Sequence, residues 1–240
     1  IPTFGVIPCT ATFGTEPYSE QPLMPTKKIE GLRSDGTLHM DHKLVIHKPI
    51  SKEGKLHLEK VISAVYDRGE GKGAKINVDI IAKDEAGDPV FTNTMGYLNR
   101  WAGGFGGPKV PHSTVVIPER EADYEIKDAY PENAPLLYRL TGDTYPLHAD
   151  PAFAKKAGFD RPIVHGLCSL GYACRMMIDA LFPGEPERMV SIENQFRAVA
   201  LPGDHFTLHV WKTGENEALF RMVKDSDGKA ILDYGRMTWK

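Results

Sequence analysis

The sequence predicts an α+β protein in which one structural unit occurs twice, the unit being a curved antiparallel sheet wrapped around a helix. Three observations carry this prediction. Short β-rich runs recur between turn residues in both halves of the chain. A shared turn signature, Lys83-Asp84-x-x-Gly87 and Lys224-Asp225-x-x-Gly228, follows a β-rich run and precedes another in each half. One long apolar helix pattern opens at Gly166, between the two strand sets.

Taken in order, "IPTFGVIP" reads as strand or loop in mid-course, not as a targeting sequence, and the first residue is Ile, so the natural chain is expected to extend upstream or to have been processed. From His42, the runs "HKLVIHKPI", "KLHLEKVISAVYDRG", "KGAKINVDIIAKDEAG" and "DPVFTNTMGYLNRWAGGFGG" read as a meander of strands. Residues 109–134 are rich in Pro and charge and read as a linker, which divides the chain into units 1–108 and 135–240. In the second unit Leu167, Leu170, Gly171, Cys174, Met177, Ile178 and Leu181 recur at three- and four-residue steps. Only Arg175 and Asp179 interrupt them, so this helix belongs largely inside the protein and ends before "FPGEP". Four more β-rich runs follow, "RMVSIENQFRAVALPG", "DHFTLHVWKTGEN", "EALFRMVKDSDG" and "KAILDYGRMTWK"; Gly203 ahead of the second corresponds to Gly54 ahead of "KLHLEKV".

Composition narrows the function classes. Twenty-nine basic against 32 acidic residues, a formal net charge of -3, leave neither a nucleic-acid footprint nor a polybasic membrane patch, and no apolar run is long enough to span a bilayer. Cys9, Cys168 and Cys174 lack paired spacing, which argues against a disulfide framework or a structural zinc site. They suit the cytoplasm or another reducing compartment; the C-terminal "TWK" is not a Ser-Lys-Leu address, which leaves the peroxisome open on other grounds.

The chemistry concentrates in "LTGDTYPLHADP". Asp143 and His148 bracket a run in which Pro146 fixes its own φ and drives Tyr145 into an extended conformation, so the loop is expected to resist closing into a helical turn. A carboxylate and an imidazole that converge can orient a water, one taking a proton and the other giving one. The bland alternative is that Asp143 caps the loop and His148 packs in a satisfied network, and for an isolated pair it prevails. No metal is expected, because His148 and His165 lack a sequence pattern of companion ligands. "WAGGFGG" lacks the spacing and strand-to-helix context of a dinucleotide loop and reads as a mobile or tightly bent loop.

Context raises the pair above the bland reading. Gly142, Asp143, Pro146, Leu147 and His148, then Gly158, Phe159, Pro162, Ile163, His165 and Gly166, resemble the signature of the (R)-specific enoyl-CoA hydratases, the MaoC-like or hydratase-2 family. "IPTFGVI", "HKPISKEGKL", "YDRGEGKGA" and "WAGGFGG" resemble the N-terminal part of its two-repeat members, as in the hydratase portion of multifunctional enzyme type 2. The resemblance covers nearly the whole chain. It implies a double hot-dog fold, with a non-catalytic, acyl-accommodating repeat in 1–108 whose helix region is truncated, and a catalytic repeat in 135–240. It implies reversible hydration of trans-2-enoyl-CoA to (R)-3-hydroxyacyl-CoA, an acyl-CoA partner, no cofactor beyond the CoA of the substrate, and a homodimer.

By position, Asp143 and His148 inherit the catalytic pair and Gly166 the oxyanion donor. The last role has its own physical reason, since the first N–H groups of a helix lack partners and its dipole favours negative charge. Tyr145, Arg161, His165 and Phe105 are the substrate-binding candidates, with Arg161 placed on the CoA phosphates ahead of Lys155, Lys156 and Arg197, and His165 also read as a structural residue of the turn. The departure is Tyr145, where the family has Asn. It leaves two alternatives open, a hydratase with altered substrate range and a non-catalytic acyl-CoA-binding homologue; thioester hydrolysis is a third, disfavoured by the otherwise intact loop.

Overall fold

The computed structural model describes residues 2–11 and 37–240. Nine strands form one antiparallel sheet: β1 (Thr37–Ile46), β2 (His57–Asp67), β3 (Ala74–Lys83), β4 (Pro89–Asn99), β5 (Tyr124–Ala129), β6 (Met189–Phe196), β7 (His205–Gly214), β8 (Glu217–Lys224) and β9 (Ala230–Trp239), in the order β2-β3-β4-β1-β6-β9-β8-β7-β5. The meander expected in each half is present. Outward from the β1–β6 pair the two halves run in the same order, β1-β4-β3-β2 and β6-β9-β8-β7, so the sheet is one unit repeated about that seam. The seam itself runs from Asp41 opposite Gln195 to Val45 opposite Ser191.

The shared turn signature forms the β3–β4 and β8–β9 hairpins. Asp84 Oδ1 accepts the Ala86 and Asp88 N–H groups at 3.0 Å, and Gly87 takes φ +89°, a conformation that costs other residues a Cβ clash. In the strands, alternation follows the pleat: Ala74, Ile76, Val78, Ile80 and Ala82 of β3 are buried and the residues between them are not.

Four α-helices complete the described chain: α1 (Ile7–Ala11), α2 (Ala134–Tyr138), α3 (Pro151–Lys156) and α4 (Gly166–Leu181). Helix α4 has the bounds its periodicity predicts. Leu170, Ala173, Cys174, Met176 and Met177 have no more than 1% of their surface exposed, and the sheet curves around them. All three cysteines are buried. No helix among the described residues is long and apolar enough to cross a membrane.

Two expectations are corrected. The opening segment is helical, a 3-10 turn over Pro2–Val6 leading into α1, and packs on α4, β1 and β4; a short apolar run does not by itself separate strand from helix. Residues 109–134, expected as a linker, contain β5, which extends the sheet beyond β7 with Tyr124 opposite Val210 and Ala129 opposite His205. Its Glu, Lys and Asp side chains belong to an edge strand and carry little hydrophobic signal.

Burial carries a pH consequence. His39, His42 and His165 are held by desolvation at about 3, about 4 and about 3, well below the ordinary imidazole value of about 6.5. Below about pH 6.5 the unfolded chain binds protons at these sites that the folded chain refuses, so stability is full above that value and falls as pH drops toward the folded values. Thermal melts from about pH 7 down to about pH 4.5 are therefore expected to show a falling Tm; a level Tm over that range contradicts the burial assigned to these rings.

Candidate active site

The loop before α4 is built from two short turns and an Asx contact. After the 3-10 turn Arg139–Thr141, Gly142 reverses the chain at φ +121°, and Asp143 Oδ1 accepts the Tyr145 N–H at 3.3 Å. Tyr145 is extended (φ -55°, ψ 127°), as Pro146 requires. Residues Pro146–His148 nevertheless form a 3-10 turn, against the expectation for this loop: proline restricts the residue before it, while its own φ suits the first helical position. Asp150 then caps α3 by accepting the Ala152 and Phe153 N–H groups.

This loop is tied to the strand-like stretch that enters α4. Ile163 N–H donates to the Leu147 carbonyl at 3.4 Å, the His148 Nδ1 and the Ile163 carbonyl lie 2.8 Å apart, and the His165 Nε2 and the Asp143 carbonyl lie 3.3 Å apart. A carbonyl only accepts, so Nδ1 of His148 and Nε2 of His165 carry the hydrogens. His148 Nε2 and His165 Nδ1 are left as lone pairs. The two imidazoles stack at 3.7 Å between centroids and 23° between planes. Tyr138 packs on the far side of His165 at 4.7 Å, and Arg139 donates to the Thr144 carbonyl at 3.4 Å. Val164 N–H donates to the Ala200 carbonyl, which anchors the entry to α4 on the loop after β6.

Asp143, His148 and His165 thereby converge, with one donor atom of each within 4.8 Å of the others. The sequence spacing held no metal pattern, yet folding assembles a carboxylate and two imidazoles, donor types that zinc accepts. Burial raises the Asp143 carboxyl, offset by the His148 charge, and lowers the His148 imidazole, offset by its bond to Ile163 and by Asp143. Desolvation draws both groups toward their neutral forms, and their mutual attraction opposes it. The group sits at the mouth of α4, whose first residue, Gly166, follows His165 directly. A Cβ at Gly166 would lie 2.9 Å from the Phe196 ring, so only glycine lets the helix start this close to β6.

The remaining sequence candidates are distributed differently. Tyr145 is half-buried, edge-on to Phe153 at 5.4 Å and to His148 at 6.1 Å. Arg161 donates to the Pro202 carbonyl at 2.7 Å and faces Glu132 at 3.7 Å, on the rim behind the entry stretch. Phe105 is 52% exposed on the glycine-rich loop, which is bent rather than phosphate-shaped: Asp67 accepts the N–H groups of Gly69, Gly104 and Gly106 at 2.7 to 2.8 Å. No contact joins Arg161 or Phe105 to the Asp143–His148 pair among the described residues. Sequence reading passed over Tyr138 and Arg139, although an aromatic residue and a cation directly before "LTGD" were its available signal, and over the Ile163 carbonyl, which acts through backbone that no motif letter reports.

Two family models account for the chain, a MaoC-like domain over residues 113–232 and an MFE-2 hydratase 2 N-terminal domain over residues 1–100. The chain belongs to the MaoC-like dehydratase family. It is 32% identical over 232 residues to the Mycobacterium tuberculosis enoyl-CoA hydratase ChsH3, covering 97% of this chain and 78% of that one. It is 35% identical over 213 residues to a probable enoyl-CoA hydratase 2 of Dictyostelium discoideum, covering 86% and 72%. Among solved structures, a MaoC-like dehydratase from Phytophthora capsici superposes on all of the chain and 82% of its own with a TM-score of 0.84 at 29% identity. A Mycobacterium tuberculosis protein described as a double hotdog fold superposes on 97% of this chain and 80% of its own with a TM-score of 0.57 at 15% identity, a likeness of fold. This MaoC-like dehydratase is thus a double hot-dog, as its sequence resemblance implied, and its family is one of hydro-lyases.

The electrostatics of the pair fix the sign of a pH effect. Burial lowers the His148 imidazole from its ordinary value of about 6.5 and raises the Asp143 carboxyl, so if His148 takes a proton in a reaction the acid limb of kcat/KM is expected below about 6.5. A limb centred at or above about 6.5 contradicts the burial assigned to the pair.

Proposed function

We propose that the protein catalyses reversible hydration of trans-2-enoyl-CoA to (R)-3-hydroxyacyl-CoA, with Asp143 and His148 handling the water. The observation that carries this reading is the convergence of a partly buried carboxylate and an imidazole with a defined lone pair at the mouth of a buried helix. Water held between Asp143 and His148 Nε2 bonds through its oxygen to C3 as the C2=C3 electron pair moves toward the thioester oxygen. Its proton passes to the Asp143–His148 pair, and a proton returns from the pair to C2, so that H and OH are added with nothing left over. The developing negative charge on the thioester oxygen is met by the Gly166 N–H and the positive end of α4, an arrangement whose loss typically costs on the order of 3 kcal/mol. Delivery of both groups by one water on one face gives syn addition.

Tyr145 bears on substrate range. Where the family has a small amide, this chain places a phenol ring between His148 and Phe153, filling room beside the pair. It narrows the pocket at the reacting carbons and offers one hydroxyl for the amide's donor and acceptor.

Two experiments test these readings. Asp143→Asn and His148→Ala are each expected to lower kcat/KM for enoyl-CoA hydration by about 10²- to 10⁴-fold while circular dichroism stays native. Hydration is followed as loss of the conjugated thioester absorbance with a free-thiol assay in parallel. Release of thiol would point to hydrolysis, binding without turnover to a non-catalytic homologue, and losses well under tenfold in both variants would exclude the pair. Tyr145→Asn is expected to shift the ranking of short, long and branched enoyl-CoAs; identical kinetics across the series would remove Tyr145 from substrate choice.

A further inference from the structure

The inner face of the sheet carries a group of buried polar side chains at the seam between the two repeats, beside the proposed active site. His42, 1% exposed, faces Asn194, 3% exposed, directly across the β1–β6 pairing. Residues opposite one another in an antiparallel pair have Cβ atoms about 5 Å apart, close enough for these side chains to bond. They do not. His42 Nδ1, both side-chain amide atoms of Asn194 and Nε2 of His39 are buried without a hydrogen-bond partner, and the His39 and His42 rings stand 5.5 Å apart.

Neighbouring bonds define what these groups offer. Asn93 Nδ2 donates to the Gly5 carbonyl at 3.0 Å, which leaves Asn93 Oδ1 to accept from His42 Nε2 at 2.9 Å. His42 Nδ1 is then a bare lone pair. His39 is bonded to the Asp41 backbone through its other nitrogen, so its Nε2 is a second lone pair, and Asn194 adds an N–H donor and a carbonyl acceptor. One ring separates the group from the proposed oxyanion site: Phe196 is the residue that a Cβ at Gly166 would meet at 2.9 Å, and its centroid is 4.8 Å from that of His39. Buried polar groups left unpaired in numbers are rare in folded proteins, because each has given up water for nothing.

We infer that His39, His42 and Asn194 recognise a hydroxyl group carried on the acyl chain, so that the protein favours hydroxylated enoyl-CoA substrates over plain alkyl ones. A hydroxyl is the group that satisfies this set, since it donates to an imidazole lone pair and accepts from the Asn194 N–H. An oxo group uses only the amide donor, and a methylene group uses nothing and leaves the site unpaired. The inference rests on the enoyl-CoA reading proposed above. It adds the substrate class that the seam selects.

The test uses the full chain and trans-2-enoyl-CoAs of equal length whose outer carbons carry a hydroxyl group, an oxo group or hydrogen alone. Hydroxylated substrate is expected to exceed plain substrate in kcat/KM by about tenfold or more for at least one hydroxyl position, with the oxo compound between them. Asn194→Leu is expected to collapse that ratio toward one, and His39→Phe, which keeps the ring volume, to reduce it. A purely structural role for these residues would lower Tm and leave the ratio where it was. Hydration of all three substrates without preference, or a wild-type preference that survives in both variants, overturns the inference while leaving the hydratase reading intact. Failure to hydrate any of them overturns the hydratase reading, and this inference with it.

Discussion

Enclosure of α4 is the constraint on which the rest of the molecule depends. A helix whose apolar residues extend around most of its circumference cannot rest on a flat surface, so the sheet must curve to cover it, and Leu170, Ala173, Cys174, Met176 and Met177 are removed from water as a result. Enclosure leaves one end of the helix to be dealt with. At Gly166 the first N–H groups have no partner within the helix, and this end carries no side-chain cap: His165, the N-cap residue, makes no capping bond and its ring meets Asp143 and His148.

The electrostatics of the pair follow from that position. Backbone carbonyls of Ile163 and Asp143 set the tautomers of His148 and His165, whose rings stack on each other. Burial pulls Asp143 and His148 toward neutral forms, so their proton affinities move toward each other, which is the electrostatic condition that the proposed proton transfer requires. The N-terminal repeat contributes no member of the pair. Its strand β1 pairs with β6 and brings His39 to within 4.8 Å of Phe196, between ring centroids.

Much of this was legible in the residues. The two hairpins announced themselves through Lys-Asp-x-x-Gly, because a positive φ at the fifth position nearly requires glycine, and in the first of them Asp84 also caps its own turn. Helix α4 was legible to the residue because its period, its length and the "FPGEP" stop agree. The helical turns at Pro2–Ala11 were not, since a short stretch with two prolines carries no period, and β5 was not, since six residues on a sheet edge have little apolar surface to reveal them. The 3-10 turn at Pro146–His148 was not legible either, since proline keeps the residue before it extended while its own φ suits the first position of a turn.

What the sequence determined by itself was local: which longer segments are strands, where the buried helix starts and ends, and that Asp143, His148 and Gly166 lie close along the chain. Those properties arise from steric preferences and periodicity within a few residues. Only the tertiary structure decided that His165 stacks on His148, that the Ile163 carbonyl sets the tautomer, and that His42 meets Asn194 across the seam. The physical reason is that such contacts join residues distant in the chain, and their geometry follows from strand register and from the curvature that burial of one helix imposes on nine strands.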